Sequence, residues 1–345
     1  SVKQEETVCG KKEYRWRPVW AVVTFLPLII WCGYRGNIGD TWAYKKSFSE
    51  MPVSLGGMAS YMATVKKDKG FYFVSAVIKC IVGNHVNIYF IVLAAIQAGV
   101  LIYVYRKYSS RYLVSFFLFI ASTDYISWMF NGIRQFLAVT ITFIGIKFIL
   151  DKKYAKAIIL ILIASLMHQS ALLVIPFIFI AQGKAWNKKS VLCILGCILI
   201  LIFVNQFTDG MNNILSNTQY SNMVADWKEW EDNGTNPIRV FVYSIPMILS
   251  IIGRKQIKEA DNPVINIVTN FSILTSVIAM VSMKTSGIFI GRLISYGSMY
   301  SASILLPWEI ENIFTRNSTI IIKSATVLGY IGFFYYQMHF TWGLI

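Results

Sequence analysis

Eleven apolar runs divide this chain, at 18–34, 87–105, 112–130, 132–150, 154–168, 170–183, 190–207, 237–253, 263–283, 292–311 and 319–338. A helix needs about 20 apolar residues to cross the hydrocarbon core of a bilayer. Inside lipid, each backbone N–H and C=O must find its partner within the segment, so runs of this kind cross as helices. The runs at 154–168 and 170–183 are short and call for tilt or local thinning of the bilayer. Of 345 residues, 56% are hydrophobic and 14% charged, whereas a soluble domain carries about 25% charged residues. That balance excludes a disordered chain and an ordinary water-soluble enzyme. The expected fold is an all-α polytopic membrane protein, with about eleven transmembrane helices plus one interfacial or re-entrant helix in a single integral membrane domain, 1–345.

The extra helix is 71–83, FYFVSAVIKCIVG, which is too short to span comfortably and carries Lys79. Charge decides its treatment, because cytoplasmic loops collect Lys and Arg. With 1–17 as a cytoplasmic N-terminal tail, the clusters Arg106/Lys107/Arg111, Lys152/Lys153/Lys156, Lys184/Lys188/Lys189, Arg254/Lys255/Lys258 and Arg316/Lys323 all fall inside. The outer loops after the first then hold only Arg134, Lys228, Arg239, Lys284 and Arg292. Counting 71–83 as a crossing inverts everything downstream and destroys this pattern. The first external loop, 35–70, is itself basic; the external loop 208–236 is aromatic and acidic at its end. No small-residue cleavage site follows the first apolar run, which reads as a retained helix.

The net charge is +15, from 32 Lys and Arg against 17 Asp and Glu. Placed as clusters between apolar runs, these charges are orientation signals, and no nucleic-acid partner is implied. Cys193 and Cys197 share one face of an apolar helix and read as packing residues. No Gly-rich phosphate loop, HExxH or Ser-His-Asp order occurs, and no carboxylate set suits a divalent metal. Neither a metal nor another cofactor is expected.

Ionisable groups beside apolar helices are costly and so mark candidate sites. In this topology Arg35, Asp40, Arg134, His168, Arg239, Lys284 and Arg292 gather on the outer side. Guanidinium groups offer a two-pronged fork to phosphate or pyrophosphate. Five of these seven also have a plainer reading. Arg134 and Arg239 suit snorkelling, Arg292 an interface anchor, Asp40 a turn or helix cap, and His168 a hydrogen-bonded helix end. Tyr220, Trp227 and Trp230 suit an interfacial aromatic belt or sugar-stacking platforms.

Three segments together resemble the EpsG-type branch of the Wzy polysaccharide polymerases: RGNIGDTWAYKKSF (35–48), the long stretch NGIRQFLAVTITFIGIKFILDKKYAKAIILILIASLMHQSALLVIPFIF (131–179) and GRLISYGSMYSASILLP (291–307). The first is similar to the family's G-D-x-x-x-Y loop, with Asp40 and Tyr44, although Gly39 stands where a Thr is usual. The second is similar to its iRQ-lA helix, with Arg134 and Gln135, followed by a helix ending in H-S-A at His168. The third is similar to its R-l-x-x-Y helix, with Arg292 and Tyr296. The resemblance implies a GT-C-like bundle in the bacterial cytoplasmic membrane with an outward-facing active site. It implies an inverting, metal-independent glycosyltransferase that joins oligosaccharide repeat units carried on undecaprenyl pyrophosphate, as in O-antigen, capsule or exopolysaccharide synthesis. His168 and Asp40 are then the candidate catalytic residues. Arg134, Arg292, Arg239, Lys284 and Arg35 are candidates for pyrophosphate, and Tyr44, Gln135 and Tyr296 for substrate. The implied partners are lipid-linked oligosaccharide, membrane lipid, and a chain-length regulator and flippase of the same pathway.

Competing functions are another polyprenyl-dependent glycosyltransferase or glycan ligase, a lipid-linked oligosaccharide flippase, and a membrane O-acyltransferase. Ligases tend to have a larger outer loop than 208–236. A flippase predicts two similar halves and charges deep within helices, whereas these charges sit at helix ends.

Overall fold

The computed structural model describes residues 1–8, 11–216 and 233–345. Cys9, Tyr220, Trp227, Trp230 and the acidic end of the 208–236 loop lie outside the described residues. The chain divides into two compact units, Ser1–Ile175 with Ser324–Ile345, and Pro176–Lys323.

The first unit opens with a hairpin in which β1 (Lys3–Val8) pairs antiparallel with β2 (Lys11–Trp16). Helices α1 (Pro18–Gly33), α2 (Thr41–Glu50), α3 (Met58–Thr64), α4 (Lys69–Val82), α5 (Val86–Tyr108), α6 (Tyr112–Ala121), α7 (Ile133–Ile144), α8 (Ile146–Leu150) and α9 (Tyr154–Met167) follow. Two guanidiniums rivet the hairpin to α5 and the turn after it. Arg15 donates to the Ser109 carbonyl and the Glu13 carboxylate, and Arg106 donates to the Trp16 carbonyl and Glu6. Helix α1 starts at Pro18, where a missing N–H leaves no bond unmade. It buries Ala21, Phe25, Leu28, Ile29 and Cys32, a helical stripe, while Val19, Trp20, Val22, Val23, Leu26 and Ile30 stay exposed, as suits lipid. A Cβ on Gly33 would clash with the Ile91 side chain, so α1 and α5 approach closely there.

After α10 (Val174–Ala181) the second unit contains α11 (Lys188–Ile202), α12 (Val204–Leu215), α13 (Pro237–Ile252), α14 (Arg254–Ala260), α15 (Pro263–Met283), α16 (Ile290–Leu293), α17 (Ser295–Tyr300) and α18 (Leu306–Asn312), and α19 (Arg316–Tyr336) ends the chain's helices. Helix α15 is the core of this unit. It buries Thr269, Asn270, Ser272, Thr275 and Ser276 completely. Its hydroxyls return to backbone carbonyls one turn back, Thr269 to Ile265 at 2.7 Å and Thr275 to Phe271 at 2.8 Å, so the buried oxygens are satisfied. Asn262 caps its start with Pro263 in the first turn. Asn270 donates to the Ala181 and Lys184 carbonyls and accepts from the Trp186 amide, clamping the turn before α11.

Each of the eleven apolar runs holds a helix, but several are interrupted. Among the described residues, four helical segments are long and apolar enough to cross a membrane: α5, α7 with α8, α15, and α19 with its final turn to Thr341; the number is up to six if two bent pairs each count once. The 112–130 run breaks after Ala121, where Thr123 adopts φ +60° before a π-helical turn at Ile126–Asn131. The 190–207 run ends at Ile202 and bends by 101° into α12, which extends into the expected 208–236 loop. Asn205, Gln206, Asp209, Asn212 and Asn213 share α12 with Phe207 and Met211, and a half-polar helix favours an interface over a lipid interior. The 292–311 run divides into α16, α17, a π-helical turn and α18. Residues 71–83 lie almost wholly on α4, with Lys79 buried, its Nζ 4.2 Å from the Phe48 ring centroid and donating to Asn84 Oδ1.

Candidate active site

Helices α7 and α9 pack against each other after the chain reverses at 151–153, where Lys152 takes φ +56°. The start of α7 and the end of α9 therefore share one end of the first unit. Helix α4 joins them there. A Cβ on Gly70 would lie 2.7 Å from Leu166 Cβ and 2.9 Å from its carbonyl oxygen, so glycine permits the contact. Asp68 stands just before that glycine and His168 just after Leu166.

Arg134, in the first turn of α7, donates from Nη1 to Asp68 Oδ2 at 2.8 Å. The Asp68 side chain is 4% exposed and that of Arg134 36%, so the carboxylate lies beneath its cation. Asp68 Oδ1 is buried without a hydrogen-bond partner. The Arg134 guanidinium also interacts electrostatically with the buried Tyr44 phenol. Burial pushes the Asp68 carboxyl above the usual carboxylate value, and the opposing pull of Arg134 and Lys67 does not cancel it. Burial likewise raises the Tyr44 phenol.

Asp40 occupies the N-cap position of α2, yet its side chain makes no capping hydrogen bond. The residue is exposed. Its backbone N–H donates to Asn131 Oδ1 at 2.9 Å. Gly39 takes φ +54°, and a Cβ there would lie 2.5 Å from the same oxygen. Glycine thus serves both the backbone turn and the close approach. His168 ends α9, and its Nδ1 lies 2.7 Å from Ser170 Oγ. Gln135 is buried behind Arg134 in the sequence of α7.

Arg35 is placed differently from a ligand-facing cation. Its residue is 5% exposed; Nε donates to the Cys32 carbonyl at 2.6 Å and Nη1 to the Met129 and Phe130 carbonyls at 2.9 and 3.2 Å. Its guanidinium carbon lies 4.1 Å from the Phe90 ring centroid. These bonds tie the end of α1 to the π-helical turn.

In the second unit, Thr235 donates its N–H to the Ser282 carbonyl at 3.0 Å and accepts from Ser282 Oγ at 2.8 Å. A Cβ on Gly291 would meet Thr235 Oγ1 at 2.5 Å. The approach to α13, the end of α15 and the start of α16 are thereby drawn together, with Arg239, Lys284 and Arg292 on them. Arg239 Nη2 donates to Tyr243 Oη at 3.0 Å, one turn along. Lys284 is exposed, Arg292 half-buried and Tyr296 buried.

The family comparison covers both groups: the EpsG family model matches residues 19–342. The chain belongs to the EpsG family. This is a Wzy-type polymerase family, and the match runs through Arg35, Asp40, Arg134, His168 and Arg292 alike. No curated protein and no solved structure matches the chain.

The EpsG match also contains two residues that sequence reasoning passed over, Asp68 and Asn131. Asp68 is the lone acid in KKDKG and faced no visible partner in sequence; its one signal was a carboxylate directly before an apolar helix. Among the described residues, no three His, Cys, Asp or Glu side chains come together as a metal cage. The first unit instead assembles a carboxylate-braced guanidinium, with an imidazole and an exposed carboxylate on neighbouring elements. That set offers anion binding and proton transfer.

Proposed function

We propose that this chain polymerises polysaccharide by joining oligosaccharide repeat units carried on undecaprenyl pyrophosphate, at the outer face of a bacterial cytoplasmic membrane. The EpsG match over 19–342 carries the reading, and the braced Arg134 supports it. In this reaction an acceptor sugar hydroxyl attacks the anomeric carbon of the donor glycan. The bond to the pyrophosphate oxygen breaks, and the pyrophosphate leaves with the electron pair. Attack opposite the leaving group inverts the anomeric centre. Arg134 stabilises the charge growing on the leaving pyrophosphate, the part metal ions take in many other transferases. Asp68 and Tyr44 hold the guanidinium in place. His168 accepts the hydroxyl proton, with Asp40 as the alternative acceptor. Gln135, Tyr44 and Tyr296 are assigned to substrate contact. Donor and acceptor both bear lipid pyrophosphate, and Arg239, Lys284 and Arg292 offer further cations. Arg35 is the weakest of the phosphate assignments, since three backbone carbonyls engage its Nε and Nη1 and the residue is buried.

Full-length protein in nanodiscs, given synthetic repeat units on polyprenyl pyrophosphate in the presence of a chelator, should produce a ladder of products on a gel. Transport of the units across vesicles without a ladder would identify a flippase instead and end this reading.

A further inference from the structure

A second basic feature lies at the opposite end of the chain's chemistry, where the hairpin meets the first unit's helices. A cavity of about 200 Å³ opens there, and its lining residues include Lys3, Arg15, Arg106 and Arg111 and the aromatic pair Trp16 and Tyr112. Those two rings are 5.5 Å apart between centroids. None of the lining residues is acidic. Glu13 and Glu6 pair with Arg15 and Arg106, yet neither glutamate reaches the cavity wall. The volume is several times the ~30 Å³ share of a liquid water and below the ~300 Å³ at which drug-sized pockets begin. It suits a compact anion.

Two further properties specify that anion. The first turn of α6, from Tyr112 to Val114, lines the cavity. First-turn amides have no carbonyl partner within their own helix and carry the positive end of its dipole. In addition, the end of α5 and the starts of α1 and α6, all apolar helices, converge on the polar hairpin. Phospholipid headgroups lie at such a boundary, and Trp and Tyr are enriched there. We propose that this cavity binds the phosphate of an anionic ligand at the membrane boundary. The site is separate from the polymerisation chemistry and serves to hold the hairpin against the membrane.

Arg15 and Arg106 fasten the hairpin, so they are poor test positions. Lys3→Gln with Arg111→Gln removes two cations, while Ser110→Glu adds a carboxylate to the wall and removes no cation. Full-length wild-type protein would be analysed by native mass spectrometry after exchange into phosphatidylglycerol or phosphatidylcholine, and by thermal melting with each lipid or with inorganic phosphate. Wild type should retain at least one phosphatidylglycerol in preference to phosphatidylcholine and should melt higher with it. Retention should weaken roughly 5-fold for each charge removed, and Ser110→Glu should abolish the preference. Lys184→Gln, in the second unit, should change nothing. Stabilisation of wild type by phosphate alone, lost in both variants, would assign the same site to a free phosphate. Equal phosphatidylglycerol retention by wild type and Ser110→Glu, with no response to phosphate, would overturn the proposal even if the double variant fails to fold.

Discussion

The guanidinium of Arg134 is held by the carboxylate of Asp68 at 2.8 Å, across 66 residues of chain. The brace orients a fork that would otherwise swing on a flexible stem, and orientation is what transition-state stabilisation requires. Arg134→Ala should reduce kcat at least ~100-fold, the usual loss when one donor to developing charge is removed. Arg134→Lys keeps the charge and loses the fork, so it should remain well below wild type. Asp68→Asn weakens a charged hydrogen bond to a neutral one, a difference of ~1 kcal/mol or about 5-fold in kcat, with KM little changed. Polymerisation rates on folded protein at saturating acceptor test all three. Wild-type turnover in Arg134→Ala would remove it from the reaction.

Asp68 also sets a pH dependence. Its folded-state pKa lies above the unfolded value of about 3.8. Between those two values the native protein binds more protons than the unfolded chain, so stability falls as pH rises through that window. Above the folded pKa the penalty is constant. Asp68→Asn has no such proton to lose. The melting temperature of the variant should therefore rise relative to wild type from pH 4 upward and then level off. A difference that is flat with pH over this range would show that Asp68 does not carry the effect.

Gly39 ties the Asp40 loop to the π-helical turn through Asn131. Alanine there meets a φ of +54° and a contact of 2.5 Å to Asn131 Oδ1. The substitution should destabilise the protein by about 1–3 kcal/mol and lower polymerisation by displacing Asp40. Adding Asn131→Ser makes room for the new Cβ while leaving the backbone strain, so it should restore part of the stability. Chemical denaturation of the three proteins in detergent measures both steps.

How far the chain could be read in advance follows from the range of the interactions. The run 263–283 coincides with α15, because Asn262 and Pro263 mark its start locally and apolar periodicity does the rest. The breaks within 292–311 are marked only in part: Pro307 stands in the first turn of α18, but no comparable residue separates α16 from α17. Arg35 looked like an outward cation in RGNIG. The carbonyls that occupy it belong to Met129 and Phe130, more than 90 residues away, and only folding brings them there. Asp68 was hidden for the same reason, with Arg134 far along the sequence. The segments that resemble the family's motifs, by contrast, are short and contiguous, and that resemblance singles out Arg134, His168 and Arg292.

In the proposed reaction the remaining step falls to His168. An acceptor hydroxyl has a pKa far above 7, so its proton must be accepted as the bond to pyrophosphate breaks. The imidazole lies at the end of α9, on the same side of the first unit as Arg134, with Nδ1 held 2.7 Å from Ser170 Oγ. That contact fixes the ring's orientation, which a base in proton transfer needs. His168→Gln retains hydrogen bonding and loses basicity, so turnover should fall at least ~100-fold. Ser170→Ala releases the ring without removing it and should cost about 10-fold or less, the scale of one hydrogen bond. Asp40→Asn should then have a modest effect. Near-normal turnover in His168→Gln, together with a ~100-fold loss in Asp40→Asn, would transfer the base role to the exposed carboxylate on the loop held by Asn131.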